Sequence, residues 1–282
     1  MSERSRWLID AETLKTRLGD TNLVVVDASW HLPTAGRDAA ADYREQHIPG
    51  AVFFDIDRIS DRDNPLPHML PPPAAFETAI GRLGIGDGQE IVVYDTLGLF
   101  SAARVWWTFR VMGVETVRVL DGGLPAWIAA GGALEAGPRN PSPRPFHANV
   151  DPARVADLAA VRDLLAAGGA VADARPADRF TGAAPEPRPG LRSGHMPGAR
   201  NVPFATLVAN GRLKGDAELA AAFSDAGLDP AGAVTTSCGS GVSAAVLTLA
   251  LAVLGNDATR LYDGSWAEWG SRPDTEVVTG PA

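Results

Sequence analysis

Three short motifs each occur twice in this chain, in the same order, and this duplication restricts the fold more than any other feature. Val24-Val-Val-Asp27-Ala28 returns as Ala170-Val-Ala-Asp173-Ala174, and His47-Ile-Pro-Gly-Ala51 returns as His195-Met-Pro-Gly-Ala199. Asp121-Gly122-Gly123 followed by Trp127 returns as Asp263-Gly264-Ser265 followed by Trp269. The offsets are 146, 148 and 142 residues, so the copies differ by small loop insertions and deletions. A chain of 282 residues then divides into two domains of ordinary size. Between them, residues 137–145 hold four prolines in nine positions, which excludes a helix or a central strand and predicts an extended segment. The expected organisation is a first domain over residues 1–136, a proline-rich linker over 137–149 and a second domain over 150–282.

Within each half, short apolar runs alternate with helical spacing. Residues 23–26, 91–94 and 117–120 predict strands in the first half, and 170–172, 233–236 and 260–262 do so in the second. Residues 101–112, 155–167, 216–224 and 242–254 carry apolar positions at helical spacing. The strand runs are nearly continuous rather than alternating, which indicates parallel sheets covered on both faces. The expected fold class is α/β, with a parallel sheet flanked by helices on both faces, twice over.

Charge and composition narrow the function. A net charge of −9 argues against a nucleic-acid partner, because phosphate binding needs clustered positive charge. No apolar run reaches the length of a membrane span, and no leader-like apolar segment follows the N-terminus. A single cysteine suits a reducing compartment, with the cytoplasm as the expected location. Phosphate-loop, Cys-x-x-Cys and His-Glu-x-x-His patterns are missing from the sequence, so no nucleotide, metal or other cofactor is implied.

That cysteine, Cys238, lies between a predicted strand and a predicted helix, in Cys238-Gly-Ser-Gly-Val-Ser-Ala244. An open α/β sheet places its ligands at such a turn. Gly239 and Gly241 permit a tight loop whose amides turn inward, and the following helix adds its positive end. A lone cysteine is ordinarily a small buried hydrophobe. Here the strand–Cys–Gly-x-Gly–helix setting instead favours a thiolate nucleophile. Counted back from the Asp-Gly pair, Cys238 falls opposite Thr96, so the first copy keeps the loop without a thiol.

The loop resembles the active-site loop of the rhodanese superfamily, in the form typical of 3-mercaptopyruvate sulfurtransferases. The resemblance runs through residues 25–30, 47–57, 94–95, 100–107, 186–190, 194–199 and 262–269. It implies two tandem rhodanese-like domains, the first non-catalytic and the second catalytic. It further implies a Cys238 persulfide that takes sulfur from a small donor and passes it to a thiol such as thioredoxin, or to cyanide. Arg179 and Arg188 stand where the family binds the donor's carboxylate, with Arg192 a weaker candidate. The loop residues Gly239, Gly241, Val242 and Ser243 would contribute backbone amides. Ser240, His68 and Asp57 match a Ser/His/Asp set proposed to move protons in this family.

Thiosulfate-preferring relatives usually carry basic side chains in the loop, and residues 239–244 have none, which favours 3-mercaptopyruvate. Thiosulfate as main donor and a sulfur carrier without turnover are the alternatives. A cysteine phosphatase is disfavoured, since the arginine its loop needs six positions on is Ala244. His47 and His195 occur in both copies, with and without the thiol, and so read as structural turns.

Overall fold

The computed structural model describes residues 2–281. Compactness divides the described residues into two units: 2–62, 70–151 and 210–213 form the first, and 63–69, 152–209 and 214–281 form the second. Residue 68, which chain order assigns to the first copy, therefore packs with the second.

In the first unit the strands are β1 (Leu8–Ile9), β2 (Leu23–Asp27), β3 (Val52–Phe53), β4 (Glu90–Tyr94) and β5 (Val117–Leu120). They form one parallel sheet in the order β1-β5-β4-β2-β3. The second unit contributes β6 (Val155–Ala156), β7 (Ala170–Asp173) and β8 (Arg200–Asn201). It also holds β9 (Val208–Ala209), β11 (Val234–Ser237) and β12 (Arg260–Tyr262), while β10 (Arg212–Leu213) falls among the residues of the first unit. Its sheet is again parallel, in the order β6-β12-β11-β7-β8. The two orders are the same once β1 to β5 are matched with β6, β7, β8, β11 and β12, so the duplication extends to topology.

The helices of the first unit are α1 (Glu3–Trp7), α2 (Ala11–Arg17), α3 (Ala39–Glu45), α4 (Pro73–Arg82), α5 (Ser101–Val111) and α6 (Gly123–Ala129). Those of the second are α7 (Leu158–Ala166), α8 (Ala177–Phe180), α9 (Asp216–Asp225), α10 (Ala244–Val253) and α11 (Ser265–Trp269). Both copies start a helix the same way: Asp10 and Asp157 each accept an N–H three residues on, at 2.8 Å. The sequence predicts a helix from residue 155, but residues 155–156 pair with β12 as an edge strand, and the helix begins only after Asp157 caps it.

Cores form on matching residues. Ile9, Val25, Ile48, Leu120, Leu124 and Trp127 pack in the first unit, and Ala156, Val171, Met196, Tyr262, Trp266 and Trp269 in the second. All ten residues of α10 are buried, which accounts for a helix with no polar face. The proline-rich segment is strapped to the first unit, where Arg144 donates to Gly81, Asn149 to Met112 and Asp151 to Val111. A Cβ at residue 81 would lie 2.6 Å from the Arg144 carbonyl oxygen, so this crossing needs glycine. Among the described residues, no helix is long and apolar enough to cross a membrane.

Candidate active site

Strand register aligns the two loops residue by residue. Asp27 pairs with Tyr94 and Asp173 with Ser237, at the ends of the central strands. Ala28 and Ala174 donate to the carbonyls of Tyr94 and Ser237, both at 2.8 Å. The next residues are Asp95 and Cys238, and their carbonyls accept from Leu124 at 3.0 Å and Trp266 at 2.9 Å. Cys238 therefore corresponds to Asp95 and not to Thr96. The helix after the loop has eleven residues in the first copy and ten in the second, so spacing counted from the Asp-Gly pair slips by one.

Asp95 shows what such a loop holds. Its Oδ1 accepts from Leu97 at 2.9 Å, and its Oδ2 from Phe100 at 2.7 Å and Ala102 at 2.9 Å. Burial pushes its carboxyl above the usual range, and these amides pull the other way. The first copy thus encloses a carboxyl group of its own in a ring of amides. Asp95→Ala empties that ring and is expected to cost about 3 kcal/mol of stability. Urea unfolding checks it, and a loss below about 1 kcal/mol would contradict the view that the carboxylate organises the loop.

In the second copy the buried Cys238 donates its N–H to Ser265 Oγ at 3.3 Å, and that hydroxyl donates to the Tyr262 carbonyl at 2.8 Å. Ser265 adopts φ 50°, a left-handed conformation shared with its counterpart Gly123 at φ 51°. A serine there carries strain that glycine avoids, and it supplies a hydroxyl that glycine lacks. Gly241, at φ 76°, makes the turn in the loop, and α10 starts three residues later.

Ser240 Oγ lies 3.1 Å from His68 Nδ1, and both residues are buried. His68 has φ 63°, again left-handed, so residues 63–69 hold the imidazole against the cysteine loop at a conformational cost. Asp57 belongs to the first unit, where its Oδ2 accepts from the Trp30 indole at 3.0 Å.

The arginines lie at the loop. A Cβ on Gly239 would stand 3.2 Å from Arg179 Nη2 and 4.0 Å from Arg188 Nη1, so the missing side chain makes room for two guanidiniums. Behind Arg179 stands Glu186, whose side chain is 1% exposed and pairs with Arg179 and, at 2.8 Å, with Arg175 Nη1. Arg175 is itself buried. Its Nε donates to both Asp173 oxygens, at 3.0 and 3.1 Å, and its guanidinium lies 4.1 Å from the centre of the Trp266 ring. Trp266 in turn donates its backbone N–H to Cys238. Sequence reasoning assigned no role to Arg175, Glu186 or Ser265 and gave Trp266 none beyond packing. One signal was available: at matched positions the first copy has Ser29 for Arg175, Gly123 for Ser265 and Leu124 for Trp266.

Arg192 does not join them. Its Nε, Nη1 and Nη2 bond the carbonyls of Gly270, Thr275 and Trp269, which close the end of α11. His47 and His195 play matching structural parts. Their Nδ1 atoms bond the carbonyls of Tyr43 and Phe180, at 2.8 and 2.9 Å, and their rings stack on those same residues.

Comparison with known proteins agrees with this geometry. The chain is 44% identical over 276 residues to the 3-mercaptopyruvate sulfurtransferase of Escherichia coli (strain K12), covering 96% of this chain and 97% of that protein. It is 40% identical over 278 residues to the Homo sapiens 3-mercaptopyruvate sulfurtransferase, with 97% and 93% covered. Thiosulfate/3-mercaptopyruvate sulfurtransferase 1, mitochondrial, of Arabidopsis thaliana is 39% identical, with 97% and 78% covered. The crystal structure of SseA from Escherichia coli superposes with a TM-score of 0.86 at 42% identity, over 92% of this chain and 98% of that one. The Rhodanese-like domain model matches residues 10–130 and 157–272, one match in each copy of the repeat. A duplicated parallel sheet with a cysteine loop in only one copy, matched twice by the same model, places this chain in the rhodanese family.

Proposed function

We propose that this protein is a 3-mercaptopyruvate sulfurtransferase working through a persulfide on Cys238. One observation carries the reading: two guanidiniums converge on Gly239, the residue next to the thiol, in the copy that has the thiol. A 2-oxo acid whose carboxylate is held there presents its sulfur to Cys238. The thiolate attacks that sulfur, the carbon–sulfur bond breaks, and its electron pair leaves on the pyruvate enolate. The enolate then takes a proton at carbon. Ser240 and His68 form the hydroxyl–imidazole pair that removes the donor's thiol proton and returns one to the enolate. The loop amides of Gly239, Gly241, Val242 and Ser243 stabilise the anionic persulfide, as the first copy's amides hold Asp95. The outer sulfur then passes to a thiol such as thioredoxin, or to cyanide. Asp57 is the carboxylate of this Ser/His/Asp set, and its Oδ2 also accepts from the Trp30 indole. The first copy, with a carboxylate where the thiol would be, carries no sulfur. A lone thiol that must stay reduced between cycles suits the cytoplasm.

His68→Gln separates this reading from thiosulfate as the main donor. Sulfite leaves thiosulfate without any proton transfer to carbon, whereas pyruvate release requires one. Turnover of 3-mercaptopyruvate is expected to fall by about 100-fold, and turnover of thiosulfate by far less. Equal losses for both donors would remove the proton-transfer role and leave thiosulfate an equal candidate.

A further inference from the structure

We infer that Glu186 is a specificity-determining residue that lowers the positive charge of the donor site, favouring a monoanionic donor over a dianionic one. The inference rests on the sulfurtransferase reading above. A carboxylate buried beside an anion site is unusual, because it repels the ligand and is costly to desolvate. Neutralising Arg175 does not account for it. Asp173 already takes three N–H bonds from that side chain, two from Nε and one from Nη2, and the Gly194 carbonyl takes another. Glu186 gives Arg175 one bond, from Nη1 to Oε1 at 2.8 Å, and meets Arg179 with both oxygens, through Nε and Nη2.

Exposure sets the direction of the effect. The Arg179 side chain is 20% exposed and its carboxylate partner 1%, so an arriving anion meets the guanidinium with a negative charge fixed behind it. A donor with one charge feels that repulsion once, and a dianion feels it twice. One extra unit of charge at roughly 10 Å, in a medium of effective dielectric about 20, changes binding about tenfold.

The test compares kcat/KM for 3-mercaptopyruvate and thiosulfate in the wild type, Glu186→Gln and Glu186→Asp. The glutamine variant is expected to shift the donor ratio about tenfold toward thiosulfate through KM, with kcat at saturating thiosulfate within about threefold of wild type. The aspartate variant keeps the charge and should keep the wild-type ratio even where its rates are lower. If Glu186 only supports the fold, both variants lose both donors in proportion, and an unmoved ratio overturns the inference. Calorimetric binding of sulfate and of pyruvate gives a second measure that needs no turnover. Sulfate should gain about tenfold over pyruvate in the glutamine variant, and equal changes overturn the charge argument. A wild type that binds these anions but releases no pyruvate from 3-mercaptopyruvate refutes the proposed reaction and leaves the charge argument to be judged on sulfate and pyruvate alone.

Discussion

Cys238→Ser is expected to gain no sulfur when incubated with 3-mercaptopyruvate, whereas the wild type gains the mass of one sulfur atom per chain. Serine keeps the size and the backbone, so the Cys238 N–H bond to Ser265 and the carbonyl bond from Trp266 survive. What is lost is the thiolate. A serine hydroxyl is not ionised at neutral pH and cannot form a persulfide, so turnover should fall by a factor on the order of 10,000 or more. This chain has one cysteine, so no second thiol can take the sulfur. Mass spectrometry of the intact chain decides the point. A wild type whose mass does not change, or a serine variant that still releases pyruvate, would end the persulfide mechanism.

The double variant Arg179→Ala/Arg188→Ala should lose about 1,000-fold in kcat/KM for 3-mercaptopyruvate, mostly through KM. Charge-assisted hydrogen bonds contribute about 1.5–3 kcal/mol each, and two such contacts to one carboxylate reach that size. Glu186 keeps its bond to Arg175, so its buried charge stays paired in the variant. Arg179→Lys is the companion experiment. It keeps the charge but loses the planar fork, and it should fall between the wild type and the alanine variant. A double variant with unchanged KM would mean that the carboxylate is held elsewhere, and the preference for a 2-oxo acid would lose its basis.

Particular residues show how far sequence reasoning reached. The repeat, the parallel α/β layers and the loop at Cys238 were legible because each rests on short-range rules: motif order, apolar runs and glycine spacing. The arginines were legible only through resemblance, since a lone arginine in a sequence is usually a surface charge. Arg192, equally basic and only four residues beyond Arg188, turns out to close a helix end. Nothing local distinguishes the two, because the difference lies in carbonyls nearly eighty residues downstream.

The amino-acid sequence alone determined that two copies of one parallel α/β unit would form and that only the second would carry a thiol. Local conformational preference and hydrophobic patterning are sufficient for that. Tertiary structure decided that Asp95 occupies the thiol's position in the first copy, that residues 63–69 join the second unit to bring His68 to Ser240, and that Glu186 lies buried between Arg175 and Arg179. Those outcomes depend on strand register and on charges paired across distant segments, and such pairings exist only once the chain has folded.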